Sequence, residues 1–138
     1  MAVYDKAKWH FEGEFPQDLP PYQGYVHIGL FLGWALDHGF EGSLIRDDFS
    51  EELASYRAGK ITAPRLLQIT DGVLDDQLLS EEGNGFAESY YESSYLADYC
   101  NWFPGAKTCY HVQDTADSAR IVKRALDARY EAWKREKK

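Results

Sequence analysis

The histidines are the residues of this chain best suited to acid–base chemistry or metal binding. His10 lies in an aromatic string at 9–12, while His27 and His38 lie eleven residues apart in and after an apolar segment. Eleven residues of helix span about 16 Å, so one metal ion cannot bind both. A site that takes one ligand each from His10, His27 and Glu81 stays open. We nevertheless expect the histidines to be held by hydrogen bonds, and we predict no metal and no cofactor.

Other side chains that could do chemistry lack the right context. Carboxylates are paired at 47–48, 75–76 and 81–82, but neighbours on a helix point about 100° apart and are typical of solvated faces. Two glycines flank Asn84, where the preceding glutamates would repel a phosphate. No serine or cysteine lies in a recognisable nucleophile motif. Enzymatic activity stays open, and a non-enzymatic protein is favoured.

Aromatic residues make up 15% of the chain, and polar residues are embedded in its most apolar segments. Buried tyrosine and tryptophan need hydrogen-bond partners, so the pattern predicts either a core with a polar network or a pocket. Such a pocket would lie between the N-terminal helices and a long tyrosine-rich helix. Its predicted lining residues are Trp9, His10, His27, Trp34, Asn84, Tyr90 and Tyr91.

The charge of the chain is unevenly distributed. The 138 residues carry 15 basic and 23 acidic side chains, for a net charge of −8. Residues 120–138 hold eight of the basic and three of the acidic ones, so residues 1–119 have a net charge of −13. This balance argues against nucleic-acid binding, which needs lysine and arginine. Two interpretations stay open. Either the basic last helix docks on the acidic remainder of the chain, or that acidic remainder is a complementary surface for a basic partner.

A partner with a basic surface is the interpretation that we favour. Carboxylates would steer it to the surface, and tyrosines would anchor it. The residues predicted to bind it are Asp47, Asp48, Glu51, Glu52, Asp75, Asp76, Glu88, Glu92, Tyr91 and Tyr95. A homodimer built on the tyrosine-rich face is compatible with this interpretation.

Apolar periodicity and capping residues predict the elements that must position these side chains. Longer helices are predicted over 4–12, 23–38, 44–58, 62–70 and 80–103, with a last one that begins at Asp114 or Thr115. A short helical turn is expected around 75–79, and 108–112 is the only segment with β character. The fold class is therefore mainly all-α, a compact bundle of about five or six helices in one domain over 1–138.

The N-terminus does not resemble a signal peptide, and the longest apolar stretch, 25–36, is shorter than the roughly 20 residues of a membrane span. We therefore expect a cytoplasmic protein that does not bind membranes. Cys100 and Cys109 are close enough in sequence for a local disulfide. Free thiols are favoured, because the cytosol is reducing.

Several strings are familiar in combination: WHFEGEFP at 9–16, HIGLFLGWA at 27–35 and EGNGFAESYY at 82–91. With them the chain resembles a family of small, acidic, single-domain bacterial proteins of unknown function. Bacterial proteins of this size and charge are often immunity proteins for contact-delivered toxins, which is an analogy that assigns no residue a role. The leading hypothesis is an immunity-type inhibitor that masks a basic surface of a toxin. The alternative is a small-ligand-binding or enzymatic domain that uses the aromatic and histidine pocket.

Overall fold

The computed structural model describes residues 2–137, with side chains for residues 2–136. At its centre lies helix α2 (Gln23–Asp37), in which every residue from Val26 to Leu36 is buried. Apolar side chains project from every side of this helix, so other elements of the fold must cover each side. The predicted central helix and the mainly α-helical fold class are confirmed.

The remaining elements are arranged around α2. They are β1 (Val3–Lys6), α1 (Ala7–Phe11), α3 (Ser43–Asp48), α4 (Ser50–Arg57), α5 (Ala63–Ile69), β2 (Val73–Asp75), α6 (Glu81–Tyr90), α7 (Leu96–Trp102) and α8 (Ala116–Lys137). A π-helical turn, Tyr91–Tyr95, connects α6 to α7, and a 3-10 turn, Cys109–His111, precedes α8. None of the described helices combines the length and the apolar character that crossing a membrane requires.

Helix α5 lies unusually close to α2 because two glycines share one face of α2. A Cβ atom on Gly29 would be 2.3 Å from Pro64 Cα, and one on Gly33 would be 2.8 Å from Ala63 Cβ. The first turn of α5 therefore touches the backbone of α2. The spacing of four residues puts both glycines on one face of α2. Thr62 caps α5, where its hydroxyl accepts from the Arg65 N–H.

The extended structure lies elsewhere than predicted. Strands β1 and β2 pair antiparallel, with Asp5 opposite Leu74. The helix predicted over 4–12 is therefore wrong over 4–6, the helical turn expected around 75–79 is not formed, and the segment expected to be extended near 108–112 contains a 3-10 turn. Pairing with a neighbouring strand determines whether such short segments are extended or helical. Positive φ angles at Asp71 and Gly72 turn the chain so that β2 runs antiparallel to β1.

Two predicted helices are interrupted. The one predicted over 44–58 divides into α3 and α4 at Phe49, whose ψ of 36° lies outside the helical range. The one predicted over 80–103 begins as expected at Ser80, whose hydroxyl accepts from the Gly83 N–H, and continues through the π-helical turn. The last helix is capped by Thr115, whose hydroxyl accepts from the Ser118 N–H.

The two cysteines are paired, which corrects the expectation of free thiols. Cys100, near the end of α7, forms a disulfide with Cys109, and their Cα atoms are 5.0 Å apart. The chain turns back after Trp102, which brings the two thiols together. Their spacing in the sequence does not by itself imply this disulfide. The disulfide attaches the 3-10 turn that carries Tyr110 to the end of α7.

We expect Gly29→Ala to lower the free energy of unfolding by about 3 kcal/mol, because the new methyl group overlaps backbone atoms of Pro64 that cannot move independently. Gly105→Ala is the matched control, since no atom lies within 4 Å of its added Cβ. Urea unfolding of both variants measures the difference. Equal stability of the two variants would contradict the close approach of α5 to α2.

Reduction of the disulfide is expected to lower the free energy of unfolding by about 2–3 kcal/mol, because the unfolded chain regains the freedom of the loop between Cys100 and Cys109. Urea unfolding with and without dithiothreitol measures this change. The double variant Cys100→Ser/Cys109→Ser serves as the control and should not respond to the reductant. A wild-type protein that is equally indifferent would show that the thiols are free.

Candidate functional site

Two of the predicted pocket residues, His10 of α1 and His27 of α2, meet at Asp5 of β1. His10 Nε2 is 2.7 Å from Asp5 Oδ1, and His27 Nε2 is 3.4 Å from Asp5 Oδ2. The two Nε2 atoms are 3.2 Å apart. One nitrogen of each ring and one carboxylate oxygen lie within 4.8 Å of one another. These three residues are called the Asp5 cluster below.

The strand-to-helix junction and one glycine position the Asp5 cluster. Asp5 is in β1, and α1 begins two residues later, so the chain changes direction between Asp5 and His10. Helix α1 can lie against α2 because Gly24 has no side chain: a Cβ there would be 3.3 Å from the Ala7 carbonyl oxygen and 3.7 Å from His10 Cβ. His27 is one helical turn after Gly24 and therefore faces the same element.

Three tyrosines hold the residues of the cluster. The Tyr91 hydroxyl donates to Asp5 Oδ2 at 2.7 Å, and the Tyr110 hydroxyl is hydrogen-bonded to His10 Nδ1 at 2.8 Å. The Tyr95 hydroxyl donates to the carbonyl oxygen of His27 at 2.5 Å. The remaining ring nitrogen, His27 Nδ1, is buried without a hydrogen-bond partner among the described residues.

Burial and hydrogen bonding set the charges of the cluster. Burial alone would raise the pKa of Asp5, but hydrogen bonds from His10 and His27 outweigh it and hold the pKa well below its usual range. Burial lowers the pKa of His27, although the Asp5 carboxylate opposes this effect, and burial raises the pKa of Tyr91 well above its ordinary value. The cluster therefore holds an ionised carboxylate, a neutral imidazole and a neutral phenol. Such a group can bind a proton or a metal cation.

The seven residues of the predicted pocket do not lie together, so that prediction is wrong as a single site. Trp9 is 53% exposed. Trp34 is buried and donates to Asp127, and the Tyr90 hydroxyl donates to Asp98. Asn84 accepts from the Tyr4 hydroxyl and donates to the carbonyl oxygens of Asp76 and Leu79, so its side chain takes part in hydrogen bonds outside the Asp5 cluster.

Only His10, His27 and Tyr91 of that set converge, and they do so on a residue that sequence reasoning missed. Asp5 was placed in a predicted helix, where residues five apart point about 140° apart, so it could not be paired with His10. Tyr110 was missed too, because only the fold brings the 3-10 turn to α1. Glu81, considered as a third ligand, lies in the first turn of α6 and is not part of the cluster.

Six of the eight predicted acidic residues lie in two groups that share Asp76. Asp47, Asp48 and Asp76 line one hollow. Burial, together with the charges of Glu88, Asp76, Asp75 and Glu92, raises the pKa of Tyr4 to about 12, so these four carboxylates are near enough to act on one hydroxyl. The acidic surface is defined by the members of both groups: Asp47, Asp48, Asp75, Asp76, Glu88 and Glu92. Glu51 and Glu52 lie in the first turn of α4, outside the lining of the hollow.

The tyrosines predicted to anchor a partner are in the core, which corrects that part of the prediction. Tyr91 is 5% exposed, and Tyr95 is completely buried. Tyr90 and Tyr99 are buried as well, so the stripe expected to form a homodimer face packs inward. The reason is that this stripe covers α2: the rings of Tyr91 and Tyr95 both contact Phe31.

The basic helix α8 pairs with a different part of the acidic body. Lys123 Nζ is 2.5 Å from Asp37 Oδ2, and Arg129 Nε is 3.1 Å from Asp98 Oδ2. Neither acceptor belongs to the acidic surface. Docking of α8 on the rest of the chain thus accounts for part of the charge asymmetry. Lys123 and Arg129 do not cover the acidic surface.

A cavity of about 380 Å³ that the sequence did not indicate lies between α4, α5 and α8. Its wall includes the Asp37–Lys123 ion pair and Tyr56, whose hydroxyl donates to Asp37. None of the residues that the sequence singled out for the predicted pocket lines this cavity.

The comparison with protein families assigns a family but no activity. A domain of unknown function, DUF7832, matches residues 3–112. The match includes the whole Asp5 cluster and the acidic surface, and it ends before α8. No curated protein and no solved structure is significantly similar to the chain. Since the match covers most of its length, the chain belongs to the DUF7832 family.

Proposed function

We propose that the protein is a non-enzymatic acidic binding protein, most concretely a cytoplasmic immunity-type inhibitor that masks a basic surface of a bacterial toxin. The observation that carries the proposal is that acidic residues far apart in sequence form the acidic surface. Asp47 and Asp48 come from α3, and Asp76 follows β2, yet they line one hollow. A contiguous acidic surface raises the rate at which a basic partner associates and selects against acidic partners.

Backbone hydrogen bonds hold the two parts of the acidic surface together. The Gly42 N–H donates to the Leu78 carbonyl oxygen at 2.8 Å, and the Ser80 N–H donates to the Phe40 carbonyl oxygen at 2.7 Å. Gly42 is tightly enclosed, because a Cβ there would be 2.4 Å from the Gln77 carbonyl oxygen. The relative position of the carboxylates is therefore set by the backbone before any partner binds, which lowers the entropy cost of binding.

The exposure of the carboxylates also supports this role. Asp47, Asp48, Glu88 and Glu92 are exposed, and Asp47 forms an exposed ion pair with the neighbouring Arg46 at 3.4 Å. Exposed pairs of this kind contribute little to stability, so the fold does not need these charges. Tyr91 and Tyr95 are in the core, so neither tyrosine is available to anchor the partner.

We expect Asp47→Asn/Asp48→Asn/Glu88→Gln to weaken binding of a basic partner by about 10–100-fold, because three charges that face the partner are lost. The control, Asp117→Asn/Glu131→Gln/Glu136→Gln, removes the same number of exposed carboxylates from α8. Quantitative affinity purification from the source cells compares both variants with the wild type. Supporting evidence is a basic protein that the wild type and the control retain and that the acidic-surface variant loses.

The captured protein must also behave as a toxin. Its expression alone should stop growth, and co-expression of the wild type or the control should restore growth, whereas the acidic-surface variant should not. Equal retention by all three proteins would refute the acidic surface as the binding site. A harmless partner would refute the inhibitor role.

One observation favours a second candidate function, a small-ligand-binding or enzymatic domain. His10, His27 and Tyr91 belong to the predicted pocket and converge on Asp5. Because Asp5 and His27 are buried, a ligand there would have to be an ion or a molecule of a few atoms.

A further inference from the structure

We propose that the Asp5 cluster binds one divalent transition-metal ion, and that zinc is the ion that fits it best. The proposal is independent of the acidic surface. Two imidazole nitrogens and one carboxylate oxygen are a donor set that zinc accepts, with one coordination position left open. The three donors come from three different elements, β1, α1 and α2, so only the folded chain assembles the site.

The distances between the donor atoms agree with coordination to one ion. Zinc lies about 2.0–2.1 Å from nitrogen or oxygen ligands, so two ligands of a tetrahedral ion are about 3.3 Å apart. The two Nε2 atoms of His10 and His27 are 3.2 Å apart, and one nitrogen of each ring lies within 4.8 Å of a single Asp5 oxygen. His10 Nε2 and Asp5 Oδ1 are 2.7 Å apart and share a hydrogen bond. Replacing this proton by a metal ion would widen that pair by roughly 0.6 Å.

The facing ring nitrogens favour a cation between them. If both neutral rings carry their protons on Nε2, two N–H groups point at each other across 3.2 Å. If His27 carries its proton on Nδ1 instead, its Nε2 lone pair faces Asp5 Oδ2 at 3.4 Å. Both of these arrangements of neutral rings therefore place like charges together. A metal ion makes all three contacts attractive, because every donor then directs a lone pair at the cation.

The surroundings of the donors match those of metal ligands. Such a histidine usually forms a hydrogen bond through its other ring nitrogen, and such a carboxylate accepts one from a neighbour. His10 Nδ1 is bonded to Tyr110, and Asp5 Oδ2 to Tyr91. His27 Nδ1 would carry its proton without a partner among the described residues. This unpaired donor is a cost that three metal–ligand bonds exceed.

The burial of the donors limits what else could bind the ion. The His27 side chain is 2% exposed, and that of His10 is 13% exposed, so His10 lies at the edge of the site. Three protein donors leave the fourth position of a tetrahedral ion for water or another small ligand. The site therefore suits a metal ion together with a water molecule.

The test is zinc binding by the full chain without a histidine tag. The protein is freed of metal with dipicolinate and titrated with zinc against a chromophoric chelator. We expect one zinc ion per chain, and we expect His10→Gln to weaken binding by more than about 100-fold, beyond the effect typical of a residue that only supports a ligand. The control His38→Ala/His111→Ala removes the two histidines outside the cluster, which are paired with Asp127 and Asp18. It should bind zinc as the wild type does.

Two measurements separate a metal site from a hydrogen-bond network. Cobalt(II) bound to the wild type should give the strong visible absorption of four- or five-coordinate cobalt, which His10→Gln should lose. Far-UV circular dichroism shows whether each variant is folded. The proposal is wrong if the wild type binds no zinc, if it binds zinc no more tightly than His10→Gln, or if cobalt gives only the weak octahedral spectrum.

A second variant tests the site where the ligands themselves stay in place. Tyr91→Phe removes the hydrogen bond to Asp5 and should weaken zinc binding by about tenfold. Tyr90→Phe removes a neighbouring hydroxyl that donates to Asp98 instead, and it should leave zinc affinity unchanged. This pair decides the question even if His10→Gln does not fold. Equal affinities of the two tyrosine variants would contradict the proposal, because the zinc would then be bound away from the Asp5 carboxylate that Tyr91 contacts.

Discussion

The structure depends on how closely neighbouring elements can approach the backbone of α2. Gly24 admits α1, and Gly29 and Gly33 admit the first turn of α5. A Cβ atom at Gly24 would displace its neighbours by a few tenths of an ångström, and one at Gly29 or Gly33 by more, which a close-packed core transmits to everything in contact with it. The contact of α1 with Gly24 also places His10 beside His27. The packing around α2 therefore sets the geometry of the Asp5 cluster.

That constraint explains how a carboxylate can be buried in a small domain. Asp5 is 7% exposed and accepts hydrogen bonds from His10, from Tyr91 and from the Lys6 N–H. Removing a charge from water costs several kcal/mol unless such donors replace the lost hydration. The donors come from β1, α1 and the π-helical turn, so the carboxylate is tolerated only when these three elements are correctly arranged. Asp5 thereby couples their positions.

Features set by local sequence were predictable. The central helix, the glycine face that admits α5, and the caps at Thr62, Ser80 and Thr115 follow from periodicity and from short-range hydrogen bonds. Features that depend on distant pairing were not. Strand β1 exists because β2 returns beside it, and the disulfide because the chain turns back after α7.

The site was only half predictable for the same reason. His10, His27 and Tyr91 were singled out as polar residues in apolar surroundings, but Asp5 was hidden by the helix predicted around it. Burial of the tyrosine stripe was equally invisible, since periodicity shows that one face is apolar and aromatic without showing whether another element covers it. Phe31 of α2 provides that cover for Tyr91 and Tyr95.

The two acidic features of the molecule differ in what compensates their charge. The carboxylates of the acidic surface are largely solvated, and their field reaches a partner through water, where salt screens it over about 8–10 Å. Asp5 is compensated within hydrogen-bond distance and in a dry environment, where mobile ions cannot replace its neighbours. The place for a proton or a metal ion in the cluster is between the carboxylate and the two imidazoles. Salt should therefore weaken what binds at the acidic surface and leave the Asp5 cluster nearly unaffected, so the two sites can be distinguished in the same protein.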